Sequence, residues 1–334
     1  IGMVGSGVSA DSVERIYDRF LSDQINVENQ ELGRWDAQKG AVEVVETIFN
    51  ESDGYGLNHV MSRFWEAWQS LTNNPTGQTE RQILITDSQA LARTFNQLVA
   101  DLSQAQEDLD IIIEGTVADV NRLSEQLVDL NQKIISAEAN TSVANDYRDS
   151  REQVLKELSE LIDINSFEDS FGATHVLLNN GWPLVGGSQS WQLSTQINAF
   201  GLNDVVWLDP SGSPVDVTGD IDGGKLKGYL KVRDDIITDD LNRLDTLAQT
   251  LMTDINTLHQ AGFALDGSPG LAFFNGTGAG NMALNTTIAG SPDLIAAAAD
   301  AATVPGDNRQ AIAIAELQYQ LRMSGNTATY NDYY

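Results

Sequence analysis

An uninterrupted helical pattern of about 60 residues limits the possible folds of this chain more than any other feature. No proline occurs from Thr79 to Ala139, and apolar residues keep three-and-four spacing throughout. At about 1.5 Å per residue, one helix of this length would measure on the order of 90 Å, more than a compact domain needs. The pattern therefore predicts a rod. Its apolar positions are Leu84, Leu91, Phe95, Leu98, Leu102, Leu109, Ile113, Val120, Leu123, Leu127, Leu130 and Ile134.

One step in this pattern departs from a strict heptad. Ala105, Leu109 and Ile113 are separated by four and four residues, and Gly115 follows closely. An inserted step of this kind locally unwinds a supercoil. We therefore expect the rod to continue through this point with altered packing.

Two helical stretches precede the rod. The first runs from Ser12 to Phe49, with apolar residues that include Phe20 at helical spacing, although Gly33 and Gly40 weaken its middle. The second, 60–71, places aromatic and aliphatic side chains on one broad face, which we expect to be buried.

Two more helices are predicted after the rod. The segment 234–262 repeats apolar residues at four-and-three intervals until Gly262, which can cap its end. A final helix begins near Asn308, a good N-cap residue, and carries apolar residues up to Leu317.

The residues between the two rod-forming segments have a different character. From 164 to 227, short apolar or alternating runs are separated by Gly, Pro, Asn and Ser, which predicts a small β domain. Trp182, Trp191 and Trp207 would fill its core or form a platform for sugar stacking. Because helical segments flank this region, we predict a mainly α protein whose helical rod domain, 1–163 and 228–334, is interrupted by an inserted β domain, 164–227.

Charge excludes several partners. The chain has 334 residues, of which 41% are hydrophobic, enough for about two domains. Its 19 basic and 48 acidic side chains leave a net charge of −29, which repels phosphate backbones and anionic lipid heads. Neither nucleic acid nor a membrane is therefore expected as a partner, and no run of 18 apolar residues exists.

The N-terminal residues and the absence of cysteine exclude several features. Residues 1–10 lack the basic and apolar regions of a secretory signal, and the chain begins at Ile1, so we interpret it as a fragment. The absence of cysteine removes disulfides, thiolate nucleophiles and cysteine-ligated zinc.

The densest cluster of charges is NDYRDSREQV, Asn145 to Val154. Arg151 occupies the apolar stripe of the helix that follows, and an unpaired guanidinium there would be very unfavourable, so it needs a carboxylate or carbonyl partner. Asp146 is a plausible N-cap with Asp149 at the third helical position. We predict that Asn145, Asp146, Asp149 and Arg151 form a structural joint. A hydrolase with paired acids is the alternative, which needs acids that converge on a pocket.

Other chemical motifs are missing or incomplete. None of the three histidines begins a metalloprotease pattern, and neither a phosphate-binding glycine loop with lysine nor a G-x-S-x-G elbow is present. The sequence DIDGG, at 220–224, is weakly similar to a calcium loop, but Lys231 stands where a bidentate Glu is required. No catalytic, cofactor or metal site is predicted.

Several blocks, in order, resemble the flagellar hook-associated protein 1 family of hook-filament junction proteins. On the N-terminal side these are GVSADSVERIYDRFLSDQ, NNPTGQTERQILITDSQALARTFNQLVADL, VADVNRLSEQLVDLNQKI and NDYRDSREQVLKELSELIDI. On the C-terminal side they are GGKLKGYLKVRDDI, LDTLAQTLMTDINTLHQAGFALDG and GDNRQAIAIAELQ. The corresponding motif residues are Asn145, Asp146, Asp149, Arg151, Pro75, Arg81, Gly228, Asn256, His259 and Gly262.

The resemblance has two departures from the family pattern. Tyr147 and Ser150 stand where other residue types are expected, and the terminal heptad segments of the family are absent. We therefore expect that this fragment alone does not assemble.

The resemblance implies a flagellin-like fold and a structural, non-enzymatic protein. Its expected location is extracellular, in the bacterial flagellum, after type III export without a cleaved signal. Its expected partners are further copies in a ring, the hook protein, the second junction protein, flagellin and an export chaperone. A sister junction protein, a flagellin-like subunit, a glycan-binding adhesin and a hydrolase remain as alternatives.

Overall fold

The computed structural model describes residues 18–49, 56–139 and 144–334. Long helices dominate these residues, and small antiparallel sheets lie in the middle of the sequence. This confirms the predicted fold class, mainly α with a small β part.

The described residues form two compact units. Unit 1 contains 18–40, 109–139 and 144–231, and unit 2 contains 41–49, 56–108 and 232–334. These boundaries differ from the predicted ones, since unit 1 combines helices with the strands. The division into a helical rod domain and an inserted β domain at 164–227 stays a prediction.

The first helix, α1, spans Arg19–Phe49. The predicted start at Ser12 lies outside the described residues. Ala41 and Val45 are buried, whereas Phe20 is exposed, so the apolar residues of α1 are not restricted to its packed face.

Helix α2 spans Leu57–Asn73, and helix α3 spans Gln78–Ala139. The aromatic face of α2 is buried, with Phe64, Trp65 and Trp68 almost inaccessible to solvent, which confirms its prediction. Helix α3 confirms the predicted uninterrupted helix, and it continues through the four-and-four step, which falls at the boundary between its unit 2 and unit 1 residues.

Unit 1 continues with α4, Asn145–Leu161, and two antiparallel sheets. The first sheet has the strand order β1-β2-β3-β4, and the second has the order β5-β6-β7. The strands are β1 (Ile164–Glu168), β2 (Thr174–Leu178), β3 (Pro183–Gly186), β4 (Gln189–Ser190), β5 (Leu193–Ile197), β6 (Asn203–Leu208) and β7 (Pro214–Asp216).

Both sheets share one hydrophobic core with the helices of unit 1. Val120 and Leu123 from α3 belong to the same buried cluster as Val176 from β2, Leu184 from β3 and Val205 from β6. The helices therefore supply the apolar surface that two sheets of three or four short strands need for stability.

Helix α1 approaches α4 at Gly33. A Cβ atom at this position would overlap the backbone carbonyl of Glu160. Gly33 is therefore required by close backbone packing, whereas a Cβ atom at Gly40 would have no neighbour within 4 Å. The two glycines that weaken the helix in the sequence thus have different structural roles.

The second long helical segment begins irregularly. Helix α5, Gly224–Leu230, leads into a π-helical turn, Lys231–Ile236, and then into α6, Ile237–Ala261. Gly262 ends α6 as predicted, and its N–H donates to the carbonyl of His259.

Unit 2 ends in short elements. These are β8 (Phe274–Asn275), β9 (Ala283–Leu284), α7 (Thr286–Gly290), α8 (Arg309–Glu316) and α9 (Tyr330–Tyr333). Strands β8 and β9 pair in an antiparallel manner. Asn308 precedes α8 as predicted, but its side chain makes no cap and instead donates to the carbonyl of Thr72, 2.7 Å away.

Candidate structural joint

Arg151 lies in unit 1 with only 6% of its side chain exposed. Its Nη1 donates to the Oδ1 of Asn131 at 3.1 Å and to the carbonyl of Gly172 at 2.6 Å. Its Nη2 forms an ion pair with Glu168 on β1. A single buried guanidinium therefore links α4 to α3, to β1 and to the β1-β2 turn.

Arg148 lies about one turn before Arg151 and also links α4 to α3 and to β1. Its Nε and Nη2 donate to both carboxylate oxygens of Glu138 at 2.8 and 3.0 Å, and its Nη1 donates to Glu168 at 2.9 Å. The hydrogen bonds that Arg148 donates to Glu138 lower the pKa of Glu138 and raise the pKa of Arg148. Arg148 and Arg151, on one face of α4, thus share the acid Glu168. The sequence analysis did not predict a role for Arg148, although its three-residue spacing from Arg151 indicates a common helix face.

Asn131 carries the joint into the first sheet. It is fully buried, its Nδ2 donates to the carbonyls of Thr174 and Gly187 at 2.8 and 3.0 Å, and its Oδ1 accepts from the N–H of Thr174 at 2.9 Å. Asn121 repeats this arrangement in the second sheet, where its amide exchanges two 2.8 Å hydrogen bonds with the backbone of Leu193. Side-chain amides on α3 therefore hold both sheets.

The other residues of the predicted joint take different positions. Helix α4 begins at Asn145 and is preceded by Ala144, whose carbonyl accepts from the N–H of Arg148. The prediction of Asp146 as N-cap is therefore wrong, because the helix starts one residue before it. Asp146 and Asp149 are exposed. Arg151 is buried, and the role of the four residues as a joint stays a prediction.

The weak calcium-loop sequence has a packing role in the structure. Asp163 Oδ1 accepts from the N–H of Asp222 at 3.2 Å, and burial raises the pKa of Asp163. Gly224 has a φ of +71°, and a Cβ atom there would overlap the backbone of Leu161 and Ile162. Within 18–49, 56–139 and 144–334, no group of three or more His, Cys, Asp or Glu residues is placed to hold a metal ion.

The three tryptophans of the β region differ in exposure. Trp207 is buried, and its Nε1 donates to the carbonyl of Pro183 at 2.8 Å. The ring of Trp191 packs over Gly186, where a Cβ atom would lie 2.6 Å from it. Trp182 is partly exposed and packs on Trp207 with ring centroids 4.6 Å apart. Core filling therefore holds for Trp207 and Trp191, whereas Trp182 lies at the core's edge.

Arg81 is a buried arginine of unit 2. Its Nε and Nη2 donate to the carbonyl of Pro75 at 3.2 and 2.6 Å, and its Nη1 donates to the carbonyls of Pro292 and Ile295 at 3.0 and 2.7 Å. Burial lowers the pKa of Arg81 to about 10, partly offset by Asp293. The start of α3 is thereby attached to the segment after α7.

His259 and Asn256 attach the segment that follows α6. His259 Nδ1 lies 2.6 Å from the carbonyl of Leu271, and its Nε2 accepts from the N–H of Ala296 at 2.9 Å. Asn256 accepts from the N–H groups of Phe273 and Phe274 at 2.7 and 2.8 Å. Burial lowers the pKa of His259 to about 4, so the imidazole is neutral at pH 7.

Comparison with known proteins identifies the family. Residues 42–274 match the family model described as the flagellar hook-associated protein FlgK helical domain. The chain belongs to the FlgK family. This confirms the resemblance drawn from the sequence blocks. Among the described helices of this FlgK family member, none is long and apolar enough to cross a membrane.

Relatives and a solved structure agree with this assignment. The chain is 30% identical over 303 residues to flagellar hook-associated protein 1 of Bacillus subtilis, covering 83% of this chain and 59% of the relative. It is 26% identical to the Escherichia coli protein of the same name, covering 88% of this chain and 56% of the relative. The chain therefore spans somewhat more than half the length of these relatives.

The structural match concerns the fold. The flagellar hook junction protein FlgK from Burkholderia pseudomallei superposes with a TM-score of 0.69 at 23% identity, covering 76% of this chain and 46% of that one.

Proposed function

We propose that this chain is a structural part of the flagellar junction between hook and filament. The observation that carries the proposal is the match of residues 42–274 to the FlgK helical domain. The relatives named flagellar hook-associated protein 1 support it over more than four-fifths of the chain.

The use of polar groups supports a scaffold rather than an enzyme. Arg151, Arg81, His259, Asn131 and Asn256 are groups that catalysis could use, and each makes hydrogen bonds that hold a loop or a strand against a helix. Groups fixed in this way stabilise one conformation. We therefore propose that the protein has no catalytic activity.

Partners and location follow from the same proposal. In its full length the protein would form a ring with further copies, between the hook protein on one side and the second junction protein and flagellin on the other. It would be extracellular, exported through the flagellar apparatus with the help of a chaperone and without a cleaved signal.

Deletion of the gene for the full-length protein tests the proposal in the bacterium that carries it. Cells should keep hooks, lose filaments and release flagellin into the medium, because filament subunits would have no base on which to assemble. The intact gene on a plasmid should restore filaments and swimming. Filaments of normal length on the deletion strain would contradict a junction role, and the loss of hooks as well would place the protein earlier in assembly.

A further inference from the structure

A long segment of unit 1 carries no charged side chain. Between Asp169 and Asp204 the chain contains no Asp, Glu, Lys or Arg, and His175 is its single titratable residue. At the chain-wide 20% of charged residues, a stretch of this length would hold about seven charges. The segment spans β2 to β5 and is neutral in a chain whose net charge is −29.

Two hairpin turns of this segment expose a phenylalanine at the same turn position. In the β1-β2 turn, Asp169 Oδ1 accepts from the N–H of Phe171, and in the β5-β6 turn, Asn198 Oδ1 accepts from the N–H of Phe200. A glycine with positive φ follows each phenylalanine. Phe171 is 76% exposed and Phe200 is 89% exposed.

A third turn shows that this geometry does not require an aromatic residue. In the β6-β7 turn, Asp209 Oδ1 accepts from the N–H groups of Ser211 and Ser213, and Gly212 has a φ of +81°. Ser211 thus occupies the position of Phe171 and Phe200. Because the same turn forms with serine, the turn geometry does not require a phenylalanine at this position. The exposed rings of Phe171 and Phe200 therefore have no role in forming their turns.

The two phenylalanine turns lie toward opposite ends of the unit 1 part of α3. The first sheet contacts α3 through Asn131, which binds Thr174, and the β5-β6 hairpin contacts it through Asp110, whose carboxylate accepts from the N–H and Nδ2 of Asn203 at 2.9 and 2.7 Å. Residues 110 and 131 of one helix are separated by about 30 Å. The neutral segment therefore carries an apolar tip near each end.

We propose that the neutral segment, 170–203, is a contact surface for a second copy of this chain, with Phe171 and Phe200 as its apolar anchors. Copies that each carry a net charge of −29 repel one another, and a segment that adds no charge of its own lets two of them approach at a lower electrostatic cost than the acidic segments do. Exposed aromatic residues supply the apolar area that such a contact needs. The inference deepens the proposed junction function, since it identifies a surface by which neighbouring copies touch.

The contact is weak for isolated chains. Two aromatic anchors bury little area, and the charge of the remaining surface opposes association, so the chain should be monomeric at about 10 µM in low salt. Within an assembly, neighbouring copies experience an effective concentration on the order of 1 mM, at which a weak contact becomes populated. Salt screens the repulsion and leaves the apolar contact, so association should increase with salt.

Sedimentation equilibrium on this 334-residue chain tests the surface directly. Concentrations from about 10 µM to about 1 mM should be compared at about 0.05 and 1 M NaCl, because the Debye length falls from roughly 14 to 3 Å over this range. The wild-type chain should gain mass toward a dimer at the high concentration, more so at high salt. The double variant F171S/F200S, which copies the third turn, should stay monomeric, and its urea midpoint should match the wild type.

A control variant with a phenylalanine on a different turn distinguishes a specific contact surface from non-specific hydrophobic association. Adding S211F to the double variant places a phenylalanine at the equivalent position of the β6-β7 turn, which lies outside the neutral segment. This triple variant should stay monomeric. If it associates like the wild type, or if the wild type itself remains monomeric at about 1 mM and 1 M salt, the proposed surface is wrong. Glycan binding by a monomeric wild type, lost in F171S/F200S, would also overturn it in favour of carbohydrate. None of these results alters the deletion phenotype, so the junction function is judged separately.

Discussion

Arg151 on α4 and Glu168 on β1 form an ion pair whose two members differ in exposure. The arginine side chain is 6% exposed, and the glutamate side chain is 36% exposed and also accepts from Arg148. Glu168 would therefore keep one cationic partner without Arg151. Without Arg151, the Oδ1 of Asn131 would likewise keep the hydrogen bond from the N–H of Thr174. The buried carbonyl of Gly172 would lose the hydrogen bond that Arg151 donates to it.

Replacement of Arg151 should destabilise unit 1 in a graded manner. Arg151→Ala removes the donor to the Gly172 carbonyl and leaves a cavity, and we expect a loss of about 3 kcal/mol. Arg151→Leu restores part of the volume and should lose less. Asp149→Asn, at an exposed position on the same helix, should lose less than about 1 kcal/mol. Urea unfolding midpoints measure the three variants, and three unchanged midpoints would contradict a structural joint.

The burial of Arg151 could be predicted from the sequence, but its partners could not. Its apolar neighbours on the same helix face, Val154 about one turn away and Leu158 about two turns away, indicate that Arg151 points into the interior. Asn131 lies 20 residues before it and Glu168 lies 17 residues after it, on different elements. Local spacing carries no information about which distant strand packs on a helix, so these partners follow from the tertiary fold.

The long helices were predictable for a related reason. Over the 62 residues of α3, many turns of apolar spacing agree, so single misplaced residues do not change the result. A cap depends on one residue, and the Asp146 prediction failed because Asn145 already belongs to α4. Phe20 had the right spacing but is exposed, since periodicity does not state which side of a helix receives a neighbour.

Arg81 should not tolerate lysine. Its planar guanidinium donates to the carbonyls of Pro75, Pro292 and Ile295, and a lysine ammonium cannot reach all three from one position. We expect Arg81→Lys to lower the free energy of unfolding by about 2 kcal/mol. Arg122→Lys is the control on the same helix, because Arg122 is exposed and pairs with Asp119 one turn away, and it should change stability by less than about 0.5 kcal/mol. Equal losses in both variants, measured by urea unfolding, would contradict this explanation.

His259 should make stability depend on pH between about 6.5 and 4. Its pKa in the folded state is about 4, below the ordinary 6.5, because burial disfavours the charged imidazole. The unfolded chain therefore binds the proton first as the pH falls. The neutral imidazole makes its full contribution to the free energy of unfolding above pH 6.5. This contribution decreases as the pH falls and is lost near pH 4, and the total loss is as much as about 3 kcal/mol.

The control for this prediction is His259→Asn, which cannot titrate. The variant should be less stable than the wild type at pH 7.5, and the difference between them should shrink as the pH falls to 4, because only the wild type loses the contribution of His259. Urea midpoints across this range measure the difference. A difference that stays constant with pH would show that the imidazole does not titrate in this window.

Gly33 and Gly40 on α1 should respond to alanine with opposite signs. Alanine has a higher helix propensity than glycine by up to about 1 kcal/mol, so Gly40→Ala, where the added Cβ has no neighbour within 4 Å, should stabilise the protein by about 0.5 to 1 kcal/mol. At Gly33 the same gain competes with overlap between the Cβ and the carbonyl of Glu160, which belongs to the backbone and cannot rotate away. Gly33→Ala should therefore destabilise by about 1 kcal/mol or more. Thermal or urea unfolding of the two single variants compares them within one helix, and stabilisation by both would mean that α1 does not approach α4 as closely as the structure places it.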